Sequence, residues 1–143
     1  MRIIFLMIGF GLLFSSCKKS ETPTLESFLL WHQSQNLDSG GVANKLIGNW
    51  SLSQRACFKD TTAFPAPFVK LNFNANGSYS VYNNSTIFNS GNWSLTPHSA
   101  NMWGLVASSP SVFLKGRIVF RRDEVLFDST YVNGEGCYNI FQR

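Results

Sequence analysis

The chain has 143 residues, a formal net charge of +4, and 15% aromatic against 14% charged residues. The charged share is low beside the usual value of about a quarter, whereas 13 Phe, 4 Trp and 4 Tyr suit the faces of β-strands. This composition excludes a disordered chain. The basic residues are scattered and form no stripe, so no nucleic-acid partner is expected.

The N-terminus has the pattern of an export signal. Met1 and Arg2 precede an apolar run over residues 3–14, and Ser15-Ser16-Cys17 follows. A bilayer-spanning helix needs about 20 apolar residues, so the run is too short to remain as an anchor. Residues 1–16 are therefore predicted to be a cleaved signal peptide, which leaves one domain.

The tripeptide before the predicted cut resembles the lipobox of bacterial lipoproteins. The resemblance implies that Cys17 accepts the lipid and that a cell-envelope membrane holds the protein. Phe14 stands where the lipobox usually has Leu, and an ordinary cleaved signal is the alternative. Lys18 and Lys19 follow the cysteine in place of the Asp that marks inner-membrane retention in some bacteria, which favours the outer membrane. Residues 17–23 are predicted to be a lipidated tether.

Residues 24–45 are predicted to form one short helix and a linker. The helical spacing is carried by Leu25, Phe28, Leu29 and His32. Thr24 is the expected N-cap, and the helix is expected to end near Asn36, before Ser39-Gly40-Gly41. Its apolar face needs a cover, for which the end of the barrel is the first expectation and the bilayer surface is the alternative.

Residues 46–143 carry short alternating segments separated by turn residues, which is typical of an all-β barrel. Eight strands are predicted over residues 48–58, 68–74, 78–83, 86–95, 102–107, 112–121, 124–129 and 136–142. Short connections favour an up-and-down antiparallel arrangement that removes its edges by closing on itself.

Several motifs in this region occur together and in order. They are Gly48-Asn49-Trp50, the segment 73–79, Gly91-Asn92-Trp93, and the C-terminal segment 136–143. The set resembles the small lipocalin-like lipoproteins of bacteria. The resemblance implies a lipocalin-like barrel in which Gly48 and Trp50 mark the closed end, and in which a basic residue stacks on the Trp50 indole.

The remaining cysteines, Cys57 and Cys137, form an even pair in an exported protein, and we expect them to be bonded. If the first and last strands pair antiparallel, this bond fixes the sum of facing residue numbers at 194. Trp50 then faces position 144. Arg143 is thereby brought beside the indole, at cation–π distance.

The sequence offers little support for catalysis or for metal binding. His32 and His98 stand in no metal-ligand spacing, and both are expected to be solvent-exposed or capping residues. The acidic pair Asp123-Glu124 fits a solvated turn, and no Ser or Cys has the context of a catalytic nucleophile. We expect a protein that is no enzyme and has no metal or cofactor.

Binding remains as the predicted activity. An eight-stranded barrel either fills its interior with side chains or holds one small ligand. The residues predicted to line such a site are Tyr79, Trp93, Trp103, Phe113 and Phe120. Carriage of a small hydrophobic ligand is the first prediction. The alternative is a non-enzymatic protein-interaction or inhibitor module with a filled barrel, which would contact an envelope protein through the loop over residues 60–68.

Overall fold

The computed structural model describes residues 24–57, 68–130 and 136–143. The predicted signal peptide, the lipid-acceptor Cys17 and the tether lie outside these residues, as does most of the loop over residues 60–68. The helices are α1 (Leu25–Gln35) and α2 (Ser39–Leu46). The strands are β1 (Gly48–Cys57), β2 (Val69–Phe73), β3 (Ser78–Asn83), β4 (Thr86–Ser99), β5 (Met102–Ala107), β6 (Arg117–Arg121), β7 (Glu124–Asp128) and β8 (Cys137–Gln142).

The eight strands form a closed barrel. Each strand pairs antiparallel with the next one along the chain, and β8 returns to pair with β1. Closure satisfies the backbone groups that the two outer strands of an open sheet would expose. The predicted eight-stranded up-and-down barrel is confirmed, although the chain has two helices where one was expected.

The register between β1 and β8 follows the prediction over its upper half. Facing residue numbers sum to 194 from the Cys57–Cys137 pair to the pair of Gln54 and Ile140. Ser53 is then an extra residue in β1, a β-bulge, and below it the sum is 193. Extended to Trp50, the shifted register gives position 143 as the facing residue in place of position 144.

Alternate side chains from all eight strands meet in one core inside the barrel. Its fully buried members include Trp50, Leu71, Phe73, Val81, Phe127 and Phe141. The alternation arises because successive side chains of a strand point to opposite faces. Burial of these aromatic and branched side chains is the main source of stability in a domain of this size.

Residues 112–116 do not begin β6, contrary to the prediction. They form a turn at the disulfide end of the barrel, and Phe113 and Leu114 are buried in the interior. Gly116 ends the turn with φ +97° and lies so close to the Asp128 backbone that a Cβ atom would collide with it. We call residues 111–116 the plug. Its apolar sequence has the composition of a strand, but burial inside the barrel determines its path.

Helix α1 has the predicted ends but not the predicted position. Thr24 accepts a hydrogen bond from Ser27 N, and Asn36 ends the helix in the left-handed conformation. Its buried Phe28 packs against the outside of the barrel wall and not against the barrel end. The wall residues in this contact are Met102, Val119, Leu126 and Ile140.

Helix α2 closes the barrel at the end opposite the disulfide. The sequence prediction treated this segment as a linker, because Gly40 and Gly41 normally terminate helices. Asp38 acts as N-cap and accepts a hydrogen bond from Gly41 N at 2.7 Å. Val42 and Leu46, one turn apart, are both buried in the barrel core. Their burial outweighs the low helix propensity of the glycines.

Reducing the disulfide should destabilise the barrel. The bond links residues 80 positions apart. Its loss frees the unfolded chain and should lower the free energy of unfolding by about 4 kcal/mol and the melting temperature by roughly 15 °C. Thermal melts with and without a reductant measure the effect. The variant with both Cys57→Ser and Cys137→Ser should melt at one temperature in both buffers. An unchanged melting temperature after complete reduction of the natural chain would contradict the expectation.

Candidate functional site

The closed end of the barrel brings Trp50 and Arg143 together as predicted. The Arg143 guanidinium carbon lies 4.4 Å from the Trp50 ring centroid. Its Nη2 donates to the carbonyl oxygens of Lys45 at 2.6 Å and Ile47 at 2.9 Å, where α2 ends. The Trp50 indole Nε1 donates to Leu46 O at 2.8 Å. One cation therefore ties the C-terminus to both the indole and the end of the helix.

Gly48 belongs to the same closure. It has φ +130°, which L side chains rarely adopt, and a Cβ atom added there would be in ordinary van der Waals contact with the Arg143 guanidinium. The glycine lets the chain turn from α2 into β1 beneath the arginine. Gly48, Trp50 and Arg143 thus form one structural unit that closes this end of the barrel.

His32 fills a seam in the barrel wall between β5 and β6. These strands pair only at Trp103 with Ile118 and at Gly104 with Arg117. His32, projecting from α1, bridges β6 and the turn that leads into β5, beyond these pairs. Its Nδ1 accepts from the Phe120 backbone N–H at 3.1 Å, and its Nε2 lies 3.1 Å from the carbonyl oxygen of Asn101.

The seam requires a neutral histidine. Because the Phe120 amide can only donate, Nδ1 must be unprotonated, and Nε2 carries the proton that is donated to Asn101. Burial lowers the pKa of His32 from its usual 6.5, and the charge of Lys45 lowers it further, although the hydrogen bond to Asn101 acts in the opposite direction. The expectation of a solvent-exposed or capping residue is wrong for His32, which is fully buried.

The disulfide end of the barrel carries a polar cluster that the sequence prediction missed. Arg55 Nη1 donates to the side-chain oxygen of Asn139 at 3.1 Å and to Val112 O at 3.4 Å. Asn139 Nδ2 donates to the Val112 and Phe113 carbonyls, and the Arg55 guanidinium lies 5.2 Å from the Phe113 ring centroid. The cluster fastens the plug into the barrel. The register of β1 against β8 could have predicted this cluster, because Arg55 lies two residues before Cys57 and faces Asn139.

The five residues predicted to line a ligand site all belong to the packed core. Tyr79, Phe113 and Phe120 are at most 1% exposed. Trp93 and Trp103 face the core but are half-buried, and their indoles donate to Ser78 O and to Leu37 O. Burial raises the pKa of Tyr79, whose hydroxyl lies 2.7 Å from Ser109 O. At Tyr79, Phe113 and Phe120 the interior is filled by side chains.

Large apolar side chains are exposed at the same end as the disulfide. We call them the apolar rim: Phe68, Ile87, Phe88 and Val112, which are 45–53% exposed. Phe88 is the extra residue of a β-bulge in β4, and its ring packs edge-on against Phe113 with the centroids 6.0 Å apart. A bulge redirects a side chain out of the strand alternation, so periodicity alone could not place Phe88.

Within residues 24–57, 68–130 and 136–143, no group of three His, Cys, Asp or Glu side chains is arranged to hold a metal ion. None of the helices in that part of the chain is long and apolar enough to span a membrane.

No protein-family model, curated protein sequence or solved structure matches this chain. The resemblance to lipocalin-like lipoproteins therefore depends on the sequence motifs alone.

Replacing Arg143 should weaken the closed end. We expect Arg143→Ala to lower the free energy of unfolding by about 1–2 kcal/mol, because the cation–π contact and two hydrogen bonds are lost together. Arg143→Lys should recover only part of this, since an ammonium lacks the planar face that stacks on the indole. Urea unfolding followed by tryptophan fluorescence gives the values. Arg122→Ala, at the same end of the barrel, is the control, and an equal loss in that variant would contradict a specific role for Arg143.

The stability of the barrel should depend on the charge of His32. Below pH of about 6.5 the unfolded chain binds a proton at this residue, while the folded chain, with its lowered pKa, does not. The contribution is therefore complete above this pH and is lost as the pH falls towards the folded pKa. Urea midpoints between pH 8 and pH 5 should decline for the natural chain and for His98→Gln. His32→Gln should show a flatter profile, and an unchanged slope in that variant would refute the assignment.

Proposed function

We propose that this chain is a lipid-anchored, non-enzymatic protein of the bacterial cell envelope that binds a partner protein through its apolar rim. In this proposal the lipocalin-like barrel is a filled scaffold, and Cys17 carries the lipid. The observation that supports it best is the combination of a packed interior with four exposed apolar side chains at one end of the barrel. Exposed apolar patches of this kind mark interaction surfaces in soluble domains.

Contacts with the plug hold the apolar rim in place. Phe88 rests on Phe113, and Arg55 and Asn139 hold Phe113 and its plug in place. A ring that is already fixed loses little side-chain entropy when a partner covers it. Aromatic side chains held in this way are the residues that contribute most to protein interfaces.

The charges near the rim indicate what kind of surface would fit it. Lys115 is exposed in the plug, and Arg55 donates to the Val112 carbonyl of the same segment. From residue 46 to residue 107 the sequence has one acidic residue, Asp60, which lies outside the described residues. A complementary partner would have an apolar centre with acidic residues around it.

The predicted lipid limits where such a partner is found. If Cys17 is acylated, residues 17–23 can hold the barrel no more than about 25 Å from the membrane surface. The proposed partner is therefore another protein of the same membrane or one that approaches its surface.

Carriage of a small hydrophobic ligand is the second candidate. Trp93 and Trp103 support it, because both face the core and yet remain half-buried. A ligand bound there would displace an apolar dye from the barrel in a saturable manner.

Site-specific photo-crosslinking in envelope preparations tests the proposal. A photoreactive residue at Ile87 should give one discrete adduct, whereas the same residue at Val106 should give none. Val106 is a matched control because it is 51% exposed, against 53% for Ile87, and lies on β5 outside the rim. Phe88→Ala should abolish the adduct at position 87 without lowering the melting temperature greatly, since half of its ring already contacts water.

Identical adducts at positions 87 and 106 would overturn partner binding through the rim. Saturable displacement of an apolar dye by fatty acids, reduced in Trp103→Ala, would favour ligand carriage. The anchor is tested separately by metabolic labelling with palmitate, which Cys17→Ser should abolish if the lipoprotein assignment is right.

A further inference from the structure

A groove of about 390 Å³ lies on the outer face of the barrel across β1, β2 and β3. The described residues that line it are Asn49, Trp50, Ser51, Lys70, Leu71, Tyr82 and Asn84. Trp50 and Leu71 bury their side chains in the core, so they supply backbone to its floor. The groove is separate from the apolar rim, although Tyr82 pairs with Ile87 across β3 and β4.

Three polar side chains form a row across the groove. Ser51 pairs with Lys70, and Lys70 pairs with Tyr82, so the three lie side by side on neighbouring strands. Directly facing residues on adjacent strands have Cβ atoms about 5 Å apart. The row therefore spans roughly 10 Å. Beside it, Asn49 accepts a hydrogen bond from Asn72 at 2.7 Å.

The composition around the groove is polar but almost uncharged. Residues 68–107 contain eight Asn and six Ser and no Asp or Glu. Lys70 is the only charged side chain among the described residues that line the groove. No described carboxylate opposes it, because β1 to β5 carry none.

We propose that this groove binds a saccharide that bears an acidic group. Amide and hydroxyl side chains both donate and accept hydrogen bonds, as sugar hydroxyls do, so Asn49, Ser51 and Asn84 match such a ligand. The half-buried Tyr82 offers an aromatic face for the C–H groups of a pyranose ring and a hydroxyl at its edge. Lys70 pairs with the carboxylate or phosphate of the sugar.

The size and the openness of the groove fit a short glycan segment. Its volume falls within the range of about 300–1,000 Å³ that is usual for ligand sites. It is an open groove and not an enclosed cavity, so one or two sugar units would keep much of their surface in water. We therefore expect a dissociation constant near 1 mM for a short oligosaccharide, which corresponds to about −4 kcal/mol.

Titration calorimetry and saturation-transfer NMR on the folded protein test the proposal. The probes are trigalacturonate, glucose 6-phosphate and neutral maltotriose. Trigalacturonate, glucose 6-phosphate or both should bind saturably, and the comparison between them tells a carboxylate from a phosphate. Maltotriose should bind at least fivefold more weakly than the preferred acidic probe. Lys70→Gln and Tyr82→Ala should each weaken the acidic probe at least fivefold, and only the first should remove the dependence of binding on salt.

Two control variants distinguish sugar binding in the groove from partner binding at the apolar rim. Lys115→Gln removes an exposed lysine of the plug, which is not among the residues that line the groove, and should leave sugar binding unchanged. Phe88→Ala should also leave it unchanged, although that variant disables the proposed partner surface. No saturable binding of either acidic probe at 10 mM, or equal losses in Lys70→Gln and Lys115→Gln, would overturn the proposal. Equal binding of maltotriose would overturn the acidic class of ligand.

Discussion

The pairing of β1 with β8 joins residues at least 80 positions apart in sequence, and among the strand pairs of the barrel it has the largest loop-closure cost. Two unrelated interactions secure it, one at each end of the same strand pair. The Cys57–Cys137 bond holds the upper end, and Arg143 holds the lower end through Trp50 and the last carbonyls of α2. Without this pairing the sheet would have two open edges, and the aromatic core would lose one of its walls.

The rest of the fold completes a sheet that closes imperfectly. β5 and β6 share only two residue pairs, and the imidazole of His32 continues their hydrogen bonding where they separate. At the disulfide end the plug places Phe113 where a lipocalin-like barrel would have an open mouth. The plug uses interior space that a carrier would leave empty, which favours the outer surfaces as candidates for function.

What the sequence could predict was local or tied to chain closure. The strand alternation, the Thr24 cap and the pairing of the two cysteines depend on spacing and on residue type, and each is present. The errors arose where tertiary burial outweighed local preference. Helix α2 forms across Gly40 and Gly41 because Val42 and Leu46 are needed in the core. The helical spacing placed His32 on α1, but its role in the wall depends on the separation of β5 from β6, which the sequence does not reveal.

The position of α1 has a mechanical consequence. The helix follows the predicted tether directly, and it grips the barrel through Phe28 on the wall and His32 in the seam. Tension on a membrane-anchored N-terminus would therefore be transmitted to the join between β5 and β6, where the fewest strand hydrogen bonds resist it. The Cys57–Cys137 bond joins β1 to β8 and does not cross this join, so the seam should shear before the strand pair that the disulfide holds.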